Sequence, residues 1–374
     1  MSEFRKAAEI GTKGARTLPG RCYTSHEVFQ SEMDQVFGRR WVCVGREDDL
    51  AEPGAFVLKE IAGESLIVLR DRGGVVSAFF NVCRHRGTRL CTESGGRFSQ
   101  TIQCPYHAWT YALDGRLIGA PSMDGLADFR KADYSLHAAA TATWEGFIFV
   151  NLAATPTPFA DAFAPLLGKF ARYRMAELVP MRRIDYDVRA NWKLIFENYS
   201  ECYHCATAHP QLVKLSPADS GENDLTEGPF LGGYMTIPEA EGLSINGRAC
   251  ARPVGDLPAD DLKRVYYYSI FPNMLLSLHA DYVMAHLIEP VATDRTAIAC
   301  LWLFHPDAAG DPQFDPDAGV AFWDQTNRQD WRLCELSQLG VSSRAYTPGP
   351  FSPRESISAA FDREYLSAMG ETLD

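Results

Sequence analysis

From Trp41 to Leu152 the chain alternates short apolar, β-branched runs with turn residues. The stretch GAFVLKEIAGESLIVLRDRGGVVSAFFNVC predicts strands broken by hairpin turns at Ala62-Gly63-Glu64 and Asp71-Arg72-Gly73-Gly74. WTYALDGRLIGA repeats the pattern around Asp114-Gly115, and WEGFIFVNL predicts one further strand. The Pro-rich AATPTPF closes this β region. Beyond it the period changes. Ile184, Tyr186 and Val188 alternate with charged residues as in a half-buried strand, whereas Trp192, Ile195, Phe196, Tyr199 and Tyr203 recur at helical spacing. RVYYYSIFPNMLLSLHADYVMAHLIEP and TAIACLWLFHP predict a strand meander with tight turns, and DPDAGVAFWDQTNRQDWRLCELSQLG predicts a long helix with an Asp-rich start. An antiparallel sheet packed against helices gives an α+β class.

The 374 residues exceed the size at which one core keeps growing, so two domains are expected. The change of period divides the chain into an N-terminal segment 1–40 packing on the second domain, an all-β domain 41–155 and an α+β domain 156–374. A net charge of −12 argues against nucleic acid as a partner. No apolar run reaches membrane-spanning length, and MSEFRKAAEIGTKGARTLPG lacks the hydrophobic core of a signal peptide. The expectation is a cytoplasmic protein whose ten cysteines are thiols or ligands rather than disulfides.

Cys83-x-His85 and Cys104-x-x-His107 stand eighteen residues apart. Two thiols and two imidazoles satisfy zinc as well as iron. Each pair, however, falls at a loop bounded by strands, and the second reads Cys104-Pro105-Tyr106-His107 with Trp109 behind it. This resembles the Rieske centre, where two cysteines hold one iron of a [2Fe–2S] cluster and two histidines hold the other. The gap is slightly longer than is usual for that family, and Gly95-Gly96 suggests a flexible hairpin tip. The positions that would supply the extra disulfide of respiratory Rieske proteins are Thr88 and Tyr106, which points to the soluble oxygenase or ferredoxin branch. Cys91 is read as an ordinary thiol.

More than two hundred residues follow, and ENYSECYHCATAHP is the informative stretch. Five residues of regular helix would leave His204 and His209 roughly 140° apart. Pro210 disfavours helical geometry at His209, so the helix is expected to end or loosen there. Asn198, Glu201 and His204 form a polar line opposite the apolar stripe. Asp324 and Asp330 both lie near the face of the late helix that carries Val320, Trp323 and Cys334, and periodicity does not separate them.

Together these features resemble the oxygenase α subunit of the Rieske non-haem iron (ring-hydroxylating) oxygenases, over about Arg21 to Leu366. The resemblance implies a helix-grip catalytic domain with a mononuclear Fe(II) held by His204, His209 and Asp330, the aspartate being selected over Asp324. It casts Glu201 as the carboxylate joining His204 to the cluster histidine His107 of the partner subunit, and so implies a homotrimer. Glu201 followed by CYHC looks most like the branch of choline, glycine betaine and carnitine monooxygenases and stachydrine demethylase. That branch implies O2, a separate NAD(P)H-dependent flavin/iron–sulfur reductase and a small quaternary ammonium substrate that is hydroxylated or N-demethylated. Aromatic hydroxylation, O-demethylation and simple electron carriage are the alternatives. Among the aromatics of the meander and late helix, Phe271, Tyr282 and Trp323 are the candidates for a cage around such a cation. Alternation puts Tyr266 and Tyr268 on one sheet face and Tyr267 on the other.

Overall fold

The computed structural model describes residues 3–370. They fall into two compact units, one of residues 33–162 and the other of residues up to 32 together with those from 163 onward. The Pro-rich segment stays with the first unit.

In the unit 33–162, β1 (Val42–Arg46), β2 (Ala55–Ile61), β3 (Glu64–Arg70), β4 (Val76–Phe80), β5 (Gly95–Arg97), β9 (Ala138–Trp144) and β10 (Phe147–Asn151) form one antiparallel sheet in the order β1-β10-β9-β4-β3-β2-β5. A smaller sheet joins β6 (Thr101–Gln103), β7 (Thr110–Ala112) and β8 (Leu117–Gly119). Ile61 pairs with Glu64 across Ala62-Gly63, and Trp144 with Phe147 across Glu145-Gly146. All four turn residues have positive φ, the two-residue geometry that matches strand twist. The second of these turns marks β9, which the sequence reading omitted. Gly95-Gly96 is not a hairpin tip: the pair belongs to β5 and hydrogen-bonds along β2. Ile67, Leu69, Phe79, Ile102, Trp109 and Tyr111 build the core between the sheets.

The other unit carries β11 (Val179–Val188), β12 (Glu222–Leu225), β13 (Phe230–Thr236), β14 (Arg264–Ile270), β15 (Met274–Leu278), β16 (Val283–Ala292) and β17 (Arg295–Phe304). β12 to β17 run as a consecutive antiparallel meander, and β11 pairs with β17 at its far edge. The long helix Pro316–Val341 is capped by Asp315, whose side chain accepts from the Ala318 N–H, with Pro316 at its first position. Tyr186 of β11 donates to Asp324, and the Asn327 amide donates to Cys300 Sγ of β17, so this helix lies across one sheet face. The C-terminal helix Ser356–Met369 was not predicted as an element.

The helix Trp192–Tyr199 is fixed at its start by Asn191, which accepts from Lys193 N–H and donates to the Thr293 carbonyl. The N-terminal segment packs under it: Glu32 accepts from the Trp192 indole and Tyr365 hydroxyl and pairs with the fully buried Lys193. Among the described residues no helix is long and apolar enough to cross a membrane.

Candidate metal centres

In the unit 33–162 the Cys/His pairs occupy two loops with one backbone scheme. Cys83 N–H donates to the Thr88 carbonyl and Gly87 N–H to the Cys83 carbonyl; Cys104 N–H donates to the Trp109 carbonyl and Ala108 N–H to the Cys104 carbonyl. Gly87 and Ala108 hold the corresponding left-handed position, at φ 76° and 55°. Both loops therefore curl back on their own cysteine and thrust the histidine outward. The His85 and His107 rings come within 4.8 Å, and His85 stacks on the buried Trp109. Cys83 Sγ lies 3.3 Å from the Tyr111 hydroxyl, and the two cysteine sulfurs interact with each other. Burial pushes the Cys104 thiol up, with Cys83 adding to the effect. Burial, His107 and Arg86 hold the His85 pKa down, favouring the neutral imidazole that ligates metal. The buried His107 Nδ1 has no protein partner. Paired sulfurs and paired imidazoles fit a two-iron group with one pair on each metal.

His85 and Tyr106 are exposed, so this end of the unit meets solvent. Cys91 lies in the core, its thiol pushed up to about 11 by burial. Of the neighbouring arginines, Arg89 pairs with Glu60 and Arg97 with Glu52, while Arg84 donates to the Ser135 carbonyl and Arg86 lies over the Tyr106 ring.

In the other unit the helix carrying Asn198 stops at Tyr199, where Ser200 Oγ donates back to the Phe196 carbonyl. Glu201 and His204 thus leave the predicted helical line. The Glu201 carboxylate instead accepts from the backbone N–H groups of Tyr203 and His204 and turns the chain. One helical turn, Cys205–Ala208, follows, and His209 sits outside helical geometry at φ −123° and ψ 65° before Pro210. This break faces the two imidazoles toward each other, with Nε2 atoms 3.1 Å apart. Asp330 Oδ1, from the long helix, stands 2.8 Å from His209 Nε2 and 3.2 Å from His204 Nε2. Asp324 is elsewhere, bound by Tyr186 and Arg328.

Three ligands about 2.1 Å from one metal and at right angles to each other stand about 3.0 Å apart. The observed triangle therefore matches one face of an octahedron, with the opposite positions free for other ligands. His204 Nδ1 is 2.5 Å from Glu201 Oε1, and His209 Nδ1 is 2.8 Å from Gln329 Oε1. Both contacts put the proton on Nδ1 and leave the Nε2 lone pairs inward. Burial alone would lower the His204 pKa, but Asp330 and Glu201 outweigh it and push it up to about 10. His209 is raised in the same way by Asp330 and Gln329, and the two imidazoles hold Asp330 below the usual carboxylate range despite burial. The centre draws in positive charge. Gln329, adjacent to Asp330, was missed; only a tertiary contact marks it.

Cys202 and Cys205 are joined as a disulfide spanning His204, which corrects the expectation that every cysteine is a thiol or ligand. Two cysteines three apart across a tight turn have their backbones close enough to bridge, with Cα atoms 4.9 Å apart.

The triangle opens on a cavity of about 360 Å³. Its floor comes from one sheet face, set by register: Gly233, Tyr267 and Met284 belong to one cross-strand row, and Leu231, Ser269 and His286 to the next. Trp323, Asn327 and Trp331 of the long helix and Tyr199 close over it. Tyr267 faces the cavity while Tyr266 and Tyr268 point away to Asp261 and Asp224. Of the three expected cage residues, only Trp323 is in the lining. Phe271 lies in the turn after β14, packed on Trp192 and Phe361. Tyr282 precedes β16 and is fully buried, its hydroxyl donating to the Leu243 carbonyl and accepting from the Trp323 indole. Turn positions escape the alternation that aims strand residues at the cavity.

Residues 175–371 match the family described as ring hydroxylating alpha subunit (catalytic domain), and residues 40–130 match the Rieske [2Fe-2S] domain. The glycine betaine monooxygenase oxygenase subunit of Chromohalobacter salexigens is 32% identical, over 91% of this chain and 82% of its own. The carnitine monooxygenase oxygenase subunit of Acinetobacter baumannii is 37% identical over 52% of this chain and 53% of its own. Among solved structures, the quaternary ammonium Rieske monooxygenase CntA in complex with substrate L-carnitine superposes with a TM-score of 0.75 and 26% identity, covering 96% of this chain and 97% of that one.

Proposed function

The chain belongs to the Rieske non-haem iron oxygenases, and we propose that it is the oxygenase component of a monooxygenase acting on a small quaternary ammonium compound. The observation that carries this reading is the facial triangle of His204, His209 and Asp330 opening onto an aromatic cavity. In the proposal these three residues hold Fe(II), and Cys83, Cys104, His85 and His107 hold the [2Fe–2S] cluster. When bound, the cluster supplies single electrons and the iron supplies the reductive activation of O2.

The chain's own residues then have defined tasks. Glu201 and Gln329 fix the Nδ1 protons of the two iron histidines, so that both imidazoles present Nε2. Glu201 joins His204 to His107 of the partner subunit, and repetition of such a head-to-tail contact closes a homotrimer. Tyr199, Tyr267, Trp323 and Trp331 offer aromatic faces to a cation, each worth roughly 0.5–2 kcal/mol depending on desolvation. The nearby carboxylates of Glu201 and Asp330 and the net charge of −12 act in the same direction. A separate NAD(P)H-dependent reductase supplies electrons, which places the pair in the cytoplasm, where nicotinamide is available. The product is the substrate hydroxylated beside nitrogen or stripped of an N-methyl group as formaldehyde.

The test is substrate-stimulated NADH oxidation with a matched reductase. Glycine betaine, choline, carnitine and stachydrine are compared with methoxybenzoates, and formaldehyde is assayed. Coupled product from an ammonium compound is expected; product from the methoxybenzoates alone would replace the ammonium reading with aromatic O-demethylation.

A further inference from the structure

One wall of the cavity does not belong to the core. Lys6, Ala7 and Ala8 line it, on an N-terminal strap that belongs to the same compact unit as the iron triangle. None of residues 3–10 is buried, and the single helical turn Ala7–Ile10 adds no residue to the core. The strap is fastened by surface contacts instead. Arg5 and Asn223 exchange both backbone hydrogen bonds, at 2.9 and 2.7 Å, as an isolated antiparallel bridge. Lys6 Nζ donates to the Asp219 carbonyl, and the Phe4 ring stands edge-on to Tyr234 with centroids 4.9 Å apart. Asp219, Asn223 and Tyr234 line the same cavity, so the strap is held by the lining itself.

Behind the strap the attachment changes. Gly11 and Gly14 take φ 73° and 74°, the left-handed region, with nothing within 4 Å of the place a side chain would occupy. From Arg16 onward the chain is tied to the body: Arg16 bridges Pro350, Thr17 N–H donates to the Gly349 carbonyl, and Leu18 is fully buried. Two unobstructed glycines therefore separate a fixed anchor from a segment held by exposed contacts alone. Such segments open locally at the low end of a protein's stability, and the elements that admit ligands are drawn from that end. We propose that residues 3–10 form a gating wall, hinged at Gly11 and Gly14, that sets the length of substrate the cavity takes. The strap stays down over a short ligand and is lifted by a long one. A long ligand thus binds only the open form, and its apparent affinity falls by the fraction of molecules that are open. The gate is a property of the cavity; only the choice of ligands for its test rests on the quaternary ammonium reading.

The experiment is anaerobic calorimetric titration of the iron-loaded holoenzyme with tetramethylammonium and, separately, with hexyltrimethylammonium. Wild type is compared with a chain lacking residues 3–10 and with the double variant Arg5→Cys/Asn223→Cys, oxidised so that a disulfide holds the strap down. A hydrogen-bonded antiparallel pair sets its Cα atoms about 5.5 Å apart, within reach of a disulfide. Iron content and the Rieske spectrum verify that each protein is folded and loaded, and mass spectrometry verifies the added disulfide. The deletion is expected to tighten the long ion relative to the short one about tenfold, the order of one or two exposed hydrogen bonds that no longer have to open. The locked variant should move the same ratio in the opposite direction. A ratio unchanged in both variants, or equal weakening of both ions by the deletion, would mean that the strap only supports the fold, and overturns the gate. If wild type binds neither ion, the ammonium reading falls and the gate is judged by iron release to bathophenanthroline disulfonate, which must enter the cavity. Faster release from the deletion and slower release from the locked variant then support the gate, and equal release from all three overturns it.

Discussion

The two candidate centres are built in opposite ways. In the cluster region the backbone does the placing: two loops repeat the same pair of main-chain hydrogen bonds around Cys83 and Cys104, with a left-handed residue at the same offset. In the iron region the backbone only brings the parts near. His204 and His209 flank a broken helix, Asp330 arrives from 121 residues beyond His209, and side-chain contacts to Glu201 and Gln329 aim the rings. A site templated by its own loops can be written in a local motif. One assembled from distant elements depends on the fold and on supporting side chains that need not lie near a ligand in sequence.

Substitutions test this contrast. At the cluster, Cys83→Ser or Cys104→Ser should abolish the [2Fe–2S] visible and EPR signals, because oxygen is a poor replacement for thiolate there. Cys91→Ser should leave them intact, and loss of the spectrum in that variant would mean the loops have been paired wrongly. At the iron, Asp330→Ala should lower metal content from about three irons per chain to two while the cluster spectrum persists. Asp324→Asn should retain all three, since its partners are Tyr186 and Arg328. Glu201→Gln is the sharper probe, keeping both metals and nearly eliminating turnover, with the reduced cluster persisting under O2 and substrate. Near-normal turnover would show that another route joins the centres.

Smaller effects should come from support rather than ligation. Gln329→Leu removes the acceptor for His209 Nδ1 and should weaken iron binding about 10- to 100-fold by competition with a chelator. Weakest is a pH effect behind the helix Trp192–Tyr199. Burial raises Glu197 to about 7 from its ordinary 4.5, and Asp362 beside it is raised by burial and by Glu197. Between those values the native state holds more protons than the unfolded chain, so unfolding free energy falls as pH rises through that window. In Glu197→Gln the decline should be shallower, measurable as melting temperature against pH from 4.5 to 7.5.

The same contrast explains what the sequence made legible. Both strand-rich regions, the long helix and its Asp cap follow from period and turn residues. The break at Pro210 was readable because proline restricts the residue before it. Periodicity could not choose between Asp324 and Asp330, since both share a helix face and only tertiary contacts distinguish them. The helical line through Glu201 failed because its side chain captured the backbone N–H groups of the next turn. Phe271 and Tyr282 were misjudged because residue type was read without position: both stand in turns, outside the strand alternation that places Tyr267.

The alternating floor of the cavity has an evolutionary corollary. β14 and β16 each give the cavity residues two apart, Tyr267 and Ser269 on one and Met284 and His286 on the other, whereas His204, His209 and Asp330 all lie outside the sheet. Inheritance of the oxidising chemistry is thereby uncoupled from inheritance of the substrate. Drift at Leu231, Ser269 or Met284 can reshape the cavity wall while His204, His209, Asp330 and the contacts of Glu201 and Gln329 pass unchanged to descendants.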